Sequence, residues 1–405
     1  MISFSLLPSV VSAESMIEGK DLKVAFIRDR NLWTYINGQE KQITFTGDVN
    51  PDLQWSYDGQ WLLFQIEAPS ENQGGQMQNE IWVYQPDTGK KLKVYYNGFS
   101  PQWAPNKHIV AFLDRQVLNI SDLNQFYNVS LGVNSYTWLP DGSGFLLTSQ
   151  ANLLPSGWTN PVLYKRKLTD EYDHLLNNPV EQFFTVPKQL GEENSILSIN
   201  ANDFSFSPSN KWISFIVSPT ASWSMDSNML CVISSDGKKF EVLAEVIFGV
   251  GEPKWAPSKD IIAYIAGGGR IVYGFTNKKL NVKEFPVSGT LTPEDYAELD
   301  FTWVNDQRIV TSRVKEKEWS NDFTEHPLPA LYSISINDHQ QEKLTNPPDG
   351  FGDYHPTFIK AMDKLIWYRG KSITDDHRDI WIANTDGSED KKWLEDVDEI
   401  EIYPN

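Results

Sequence analysis

A chain of 405 residues with 54 acidic and 35 basic side chains carries a formal net charge of −19. Such a surface repels phosphate backbones and anionic headgroups, so roles on nucleic acid or inserted in a membrane are not expected, while a basic peptide, a cation or a neutral ligand is compatible with it. The one cysteine, Cys231, excludes an intramolecular disulfide and sits in the apolar run Met229–Ile233, where a small buried side chain is the ordinary reading.

Taken in chain order, the first segment is Met1 to Ala13, apolar and small, ending Val11-Ser12-Ala13. It reads as the remnant of a signal peptide cleaved before Glu14, or as a disordered tail, and on the first reading the protein is exported, extracellular or periplasmic. No other stretch approaches the ~18 apolar residues of a membrane span. Residues 14–405 read as one domain.

Val24–Ile27, Asn31–Ile36 and Lys41–Phe45 follow as three short strands without a convincing first partner. The clearest full unit runs from Asp52 to Lys93. Leu53–Ser56 is a strand, Tyr57-Asp58-Gly59-Gln60 a turn, Trp61–Ile66 and Glu80–Tyr84 two further strands, and Pro86-Asp87-Thr88-Gly89 turns the chain into Leu92–Tyr95. Four antiparallel strands joined by tight turns make a propeller blade.

The aromatic that opens this unit recurs as Trp55, Trp103, Trp138, Phe206, Trp255, Trp303 and Phe358, in steps of 48, 35, 68, 49, 48 and 55 residues. A period of about 40–50 residues built from short strands signals a β-propeller. An apolar or aromatic third-strand pair recurs eight times: Leu32-Trp33, Ile81-Trp82, Val117-Leu118, Leu163-Tyr164, Leu230-Cys231, Val272-Tyr273, Leu331-Tyr332 and Ile380-Trp381. The 68-residue step contains the longest irregular stretch, Lys165–Asn202, with one or two helical turns expected in Asp170–Leu176. Finally Glu399–Tyr403 alternates with period 2, and Tyr403 falls 45 residues after Phe358. This strand supplies what the N-terminal unit lacks. The expected fold is therefore all-β, a propeller of eight four-stranded blades closed by a C-terminal strand, with seven blades as the alternative.

These motifs resemble the TolB-type propeller repeat (PD40, WD40-like). Glu80-Ile81-Trp82-Val83, Asp379-Ile380-Trp381-Ile382 and Lys343-Leu344-Thr345 match its later part, and Leu139-Pro140-Asp141-Gly142 matches its turn. The resemblance spans residues 22–405. TolB itself has six such blades and an additional N-terminal domain, which do not fit this chain, so its role in the Tol complex is not carried over. Related propellers that gate a peptidase do so beside a hydrolase domain, for which the repeats leave no room.

Three residues before each repeat aromatic, where the chain enters the innermost strand, stand Asp52, Ser100, Ser135, Asp203, Glu252, Asp300 and His355. The eighth such position is Ile400, between Glu399 and Glu401. These side chains are expected to ring the channel mouth, where converging carboxylates favour a cation or a basic side chain. The loops between second and third strands lie on the same face and are long at 67–79, 150–161, 218–228, 315–329 and 370–378. They carry Trp158, Trp223, Trp319 and Phe323, suited to stacking on a ligand or to packing their own loops.

No nucleophile elbow, His-Glu-x-x-His helix, Walker loop or dinucleotide fingerprint occurs. The expected role is thus a monomeric, non-enzymatic binding scaffold for a protein or peptide partner, basic in character, without a cofactor. Its candidate ligand-binding residues are Asp52, Asp203, Glu252, Asp300, His355, Trp158, Trp223 and Trp319. The alternative is a carbohydrate-active lyase or hydrolase using His355 and a divalent cation at the channel mouth, with His326 and His377 as neighbouring candidates.

Overall fold

The computed structural model describes residues 22–403 except 71–73, 170, 193–195, 285–286 and 376. The signal-peptide reading of 1–13 therefore lies outside the described residues. Eight four-stranded antiparallel sheets succeed one another along the chain. Blade 1 opens on Gln54–Trp55, blade 2 on Phe99–Trp103, blade 3 on Ser135–Trp138 and blade 4 on Asn200–Phe206. Blades 5, 6 and 7 open on Lys254–Trp255, Tyr296–Asn305 and Gly352–Ile359.

Blade 8 closes the ring. Glu399–Tyr403 pairs with Lys23–Arg28, from Tyr403 opposite Lys23 to Glu399 opposite Ile27, and Asn31–Ile36 and Gln39–Gln42 complete the sheet. The count is eight, and the last strand enters the first sheet as its alternation requires. Closure pairs the edge of Lys23–Arg28 that would otherwise be open.

First strands of successive blades touch one another, which places them around the centre. The repeat tryptophans fix that arrangement. Trp55 donates its indole N–H to the Glu401 carbonyl (3.4 Å), Trp103 to Gln54 (3.2 Å), Trp138 to Gln102 (3.4 Å), Trp255 to Ser205 (3.3 Å) and Trp303 to Lys254 (3.1 Å). Each bond crosses to the first strand of the preceding blade. The apolar rings fill the space between sheets while the one polar atom of each is satisfied.

The third-strand pair Val272-Tyr273 is not a strand. Ile271–Tyr273 forms a 3-10 turn after Gly267-Gly268-Gly269, and the third strand of blade 5 is Lys279–Glu284, with Leu280 in the core. Blade 5 therefore also has a long second-to-third connection. The irregular stretch Lys165–Asn202 contains a 3-10 helix, Tyr172–Asn177, then the fourth strand of blade 3, Glu181–Thr185, and a hairpin of Gln189–Leu190 with Ile196–Leu197. Buried Arg166 holds this insertion down by donating to the carbonyls of Val129 (2.8 Å), Leu175 and Asn178. Cys231 is buried, and burial pushes its thiol well above the ordinary range. No helix among the described residues is long and apolar enough to cross a membrane.

Candidate binding face at the channel mouth

Half of the ring positions owe their geometry to bulges. Register shifts interrupt the first strands of blades 2, 4, 6 and 7 at Phe99/Gln102, Asn202/Ser205, Glu298/Asp300 and Tyr354/Thr357. Ser100, Asp203 and His355 stand at these bulges with φ of 48°, 53° and 48°. A bulge re-aims a side chain, and non-glycine residues held in the left-handed region concentrate at functional sites. In blade 8 there is no bulge. Ile400 packs against the core formed with blade 7, and Glu399 and Glu401 on the opposite face of the strand supply the acids.

The ring is electrostatically divided. On the side of blades 5–7, Asp300 is compensated: Lys254 Nζ lies 3.3 Å from Oδ1, His355 Nδ1 lies 2.9 Å from Oδ2, and the Phe301 N–H donates to Oδ1 at 2.7 Å. Burial alone would raise its pKa, but Lys254 and His355 together hold it at about 2. On the side of blades 3 and 4, no cation of the described residues comes within ion-pair distance of Asp203. Burial among the channel walls, then the neighbouring Glu252 carboxylate, push it up to about 6. Burial and then Glu399 push Glu401 up to about 7. Glu399 is itself raised, mainly by burial, with His355 and Arg378 opposing and Asp52 adding.

Acids raised in the folded state bind protons that the unfolded chain has released, so stability is lost as pH climbs from the ordinary carboxylate range through about 7. The thermal midpoint is expected to fall between pH 5 and pH 8. Glu401→Gln should flatten that slope and unfold at higher temperature than the wild type at pH 8. A wild-type midpoint that is level or rising across the window would contradict this placement of Glu401.

Of the rim aromatics, Trp158 lines a pocket at this face, Trp223 is exposed beside residues that line it, and Trp319 does neither. Trp158, on the hairpin strand Gly157–Trp158, lines a pocket of about 580 Å³ over blades 2–4 together with Ser100, Ser135 and Asp203. Trp223 is 69 % exposed on the short helix Ala221–Ser224, whose flanking Thr220 and Ser224 line the same pocket. Trp319 instead stacks on Phe275 (centroids 6.1 Å apart) and on His326 (4.2 Å), packing its own loop. Phe323 begins a 3-10 turn in that loop.

The histidines do not share a site. His326 donates to the Ser320 carbonyl (2.7 Å), His355 meets Asp300, and His377 meets Asp396 (2.7 Å), which raises the His377 pKa. Among the described residues no three His, Cys, Asp or Glu side chains form a metal-holding group. Lys254 was not singled out from sequence. Its signal is that it immediately precedes a repeat aromatic, where the other six copies carry Gln, Thr or Ser.

No family model matches the chain, and no curated protein matches it. Solved structures do. A eukaryotic initiation factor aligns with TM-score 0.60 and 12% identity over 93% of this chain and 86% of its own. Dihydro-heme d1 dehydrogenase NirN in complex with DHE aligns at 0.58 and 13% over 98% and 77%. TolB from Acinetobacter baumannii matches at 0.37 and 12% over 94% and 64%. A puromycin-hydrolyzing peptidase from Mycobacterium tuberculosis matches at 0.49 and 11% over 85% of this chain, which spans only 53% of the peptidase. At these identities the likeness is one of fold, and this chain is an eight-bladed β-propeller.

Proposed function

We propose that the protein is a monomeric, non-enzymatic binding scaffold, acting after export, whose acidic channel mouth engages a protein or peptide through basic side chains. The observation that carries this reading is the division of the ring. Asp300 is neutralised from within by Lys254 and His355, whereas Asp203 forms no ion pair among the described residues and has the Glu252 carboxylate beside it. Carboxylates crowded without a counter-charge are relieved by a cation brought from outside. The apolar Met1–Ala13 segment supports export.

The test uses a fluorescein-labelled hexa-arginine peptide and the full chain. Fluorescence anisotropy should show saturable binding that weakens steeply with salt. Neutralising Asp52, Asp203, Glu252 and Glu401 together should weaken binding by about tenfold or more, since hydrogen bonds to charged groups contribute roughly 1.5–3 kcal/mol each, and should flatten the salt dependence. Binding unchanged in the quadruple variant would remove the channel mouth from consideration. The carbohydrate-active alternative predicts instead that a neutral oligosaccharide binds and the basic peptide does not.

A further inference from the structure

The pocket over blades 2–4 has unmet hydrogen-bonding capacity. Asn202 and Ser218 both stand in its wall. Neither the Asn202 amide oxygen nor the hydroxyl of Ser218, 3 % exposed, has a partner within the protein. A buried polar atom without a partner is destabilising, so two in one cavity wall are a feature that asks for a ligand. Asp203 stands in the same wall, and two strained bulge residues, Ser100 and Asp203, flank the cavity. A narrower extension of about 170 Å³ continues past Ser100, Asn134, Ser135 and Asp203.

The amide oxygen and the carboxylate only accept hydrogen bonds, and a serine hydroxyl does so readily. The complement is therefore a donor group carrying positive charge. Trp158 and Phe248 add aromatic surface to the same wall. A guanidinium stacks on such faces and presents several N–H groups in one plane, whereas an ammonium does not stack.

We infer that this pocket is the specificity subsite of the binding face and receives one arginine side chain of the partner, its guanidinium donating to Asp203, Asn202 and Ser218 against Trp158. The inference rests on the reading of the channel mouth as a face for basic partners. It adds that one basic residue is read by shape and hydrogen bonding and the remainder by charge.

Calorimetric titration of the full chain with Nα-acetyl-arginine methylamide, its citrulline counterpart and maltotriose tests this. The arginine probe should bind and the neutral isostere should bind at least about tenfold more weakly, as expected for loss of a charge-assisted hydrogen bond. Asp203→Asn, a residue that tolerates the left-handed backbone, should weaken the arginine probe to a similar degree. Ser218→Ala should weaken it while leaving the thermal midpoint unchanged or higher, because an orphan hydroxyl is removed. If hexa-arginine binds and the quadruple variant loses it, yet Asp203→Asn and Ser218→Ala leave the arginine probe unaffected, the subsite is overturned and the face stands. If neither basic probe binds, both fall. Maltotriose binding in place of arginine would assign the pocket to a neutral sugar and overturn the inference.

Discussion

A chain ending at Asp398 is expected to lose its folded monomeric state. Removing Glu399–Tyr403 uncovers the inner edge of Lys23–Arg28, where Val24, Ala25 and Phe26 are fully buried, and takes Ile402 from the core shared with blade 7. It also removes Tyr403, which packs beside Trp55, and the Glu401 carbonyl that accepts the Trp55 indole. Burying one large apolar side chain contributes about 1.5–3 kcal/mol. Two or three such losses together with a five-residue ladder approach the ~5–15 kcal/mol of a whole domain. The truncated chain should elute as higher-order species, since an unpaired apolar edge invites association, and its near-ultraviolet dichroism should be largely lost. A synthetic peptide of residues 397–405 added in trans should restore both. A truncated monomer melting within a few degrees of the full chain would mean that closure is unimportant to stability.

Closure was legible because a period-2 strand stood one repeat beyond the last aromatic, where a partner for the N-terminal strands was needed. The repeat was legible from the seven aromatics, whose chemistry is forced: a large ring between sheets with one polar atom to satisfy; the eighth blade followed from the third-strand pairs and the N-terminal unit. Blade 5 misled because Val272 and Tyr273 mimic a strand pair, while the glycines at 267–269 had already ended the second strand. Ring positions were legible as a fixed offset, but their division was not. Lys254 reaches Asp300 from 46 residues away, on the neighbouring blade, and nothing local announces that pairing. The bulges were equally hidden, because Ser100, Asp203 and His355 carry no glycine-like signature of a left-handed backbone. Trp158, Trp223 and Trp319 looked equivalent as loop aromatics. Which of them is held in place depends on partners such as Phe275, contributed by another segment of the fold, as well as on His326 in the same loop as Trp319.

Asp353→Ala is expected to destabilise the protein by about 3–5 kcal/mol in urea unfolding, the usual consequence of leaving one buried charge without its partner. Asp353 is inaccessible to solvent and accepts from Arg369 at 2.6 and 3.0 Å and from the Trp367 indole at 2.9 Å. Arg369 is nearly as buried and lies 4.0 Å over the Trp381 ring, so water cannot take the place of the carboxylate. Asp353→Leu combined with Arg369→Met should recover most of the loss, because removing both charges removes the desolvation cost as well. A single variant within about 1 kcal/mol of wild type, the scale of an exposed ion pair, would show that the pair is hydrated. Blade 6 repeats the device with Glu298 and Arg313, 2.7 Å apart across the same two strands. In both blades the buried acid lies two residues before the ring residue, Glu298 before Asp300 and Asp353 before His355, with the bulge between or just beyond them. The pairs thus pin the strand where it must depart from regular pairing to bring Asp300 and His355 together. Asp353→Ala should therefore also loosen the His355–Asp300 contact, visible as changed chemical shifts of the His355 ring protons, while Asp203 and its pocket on the opposite side of the ring keep their affinity for a cationic probe.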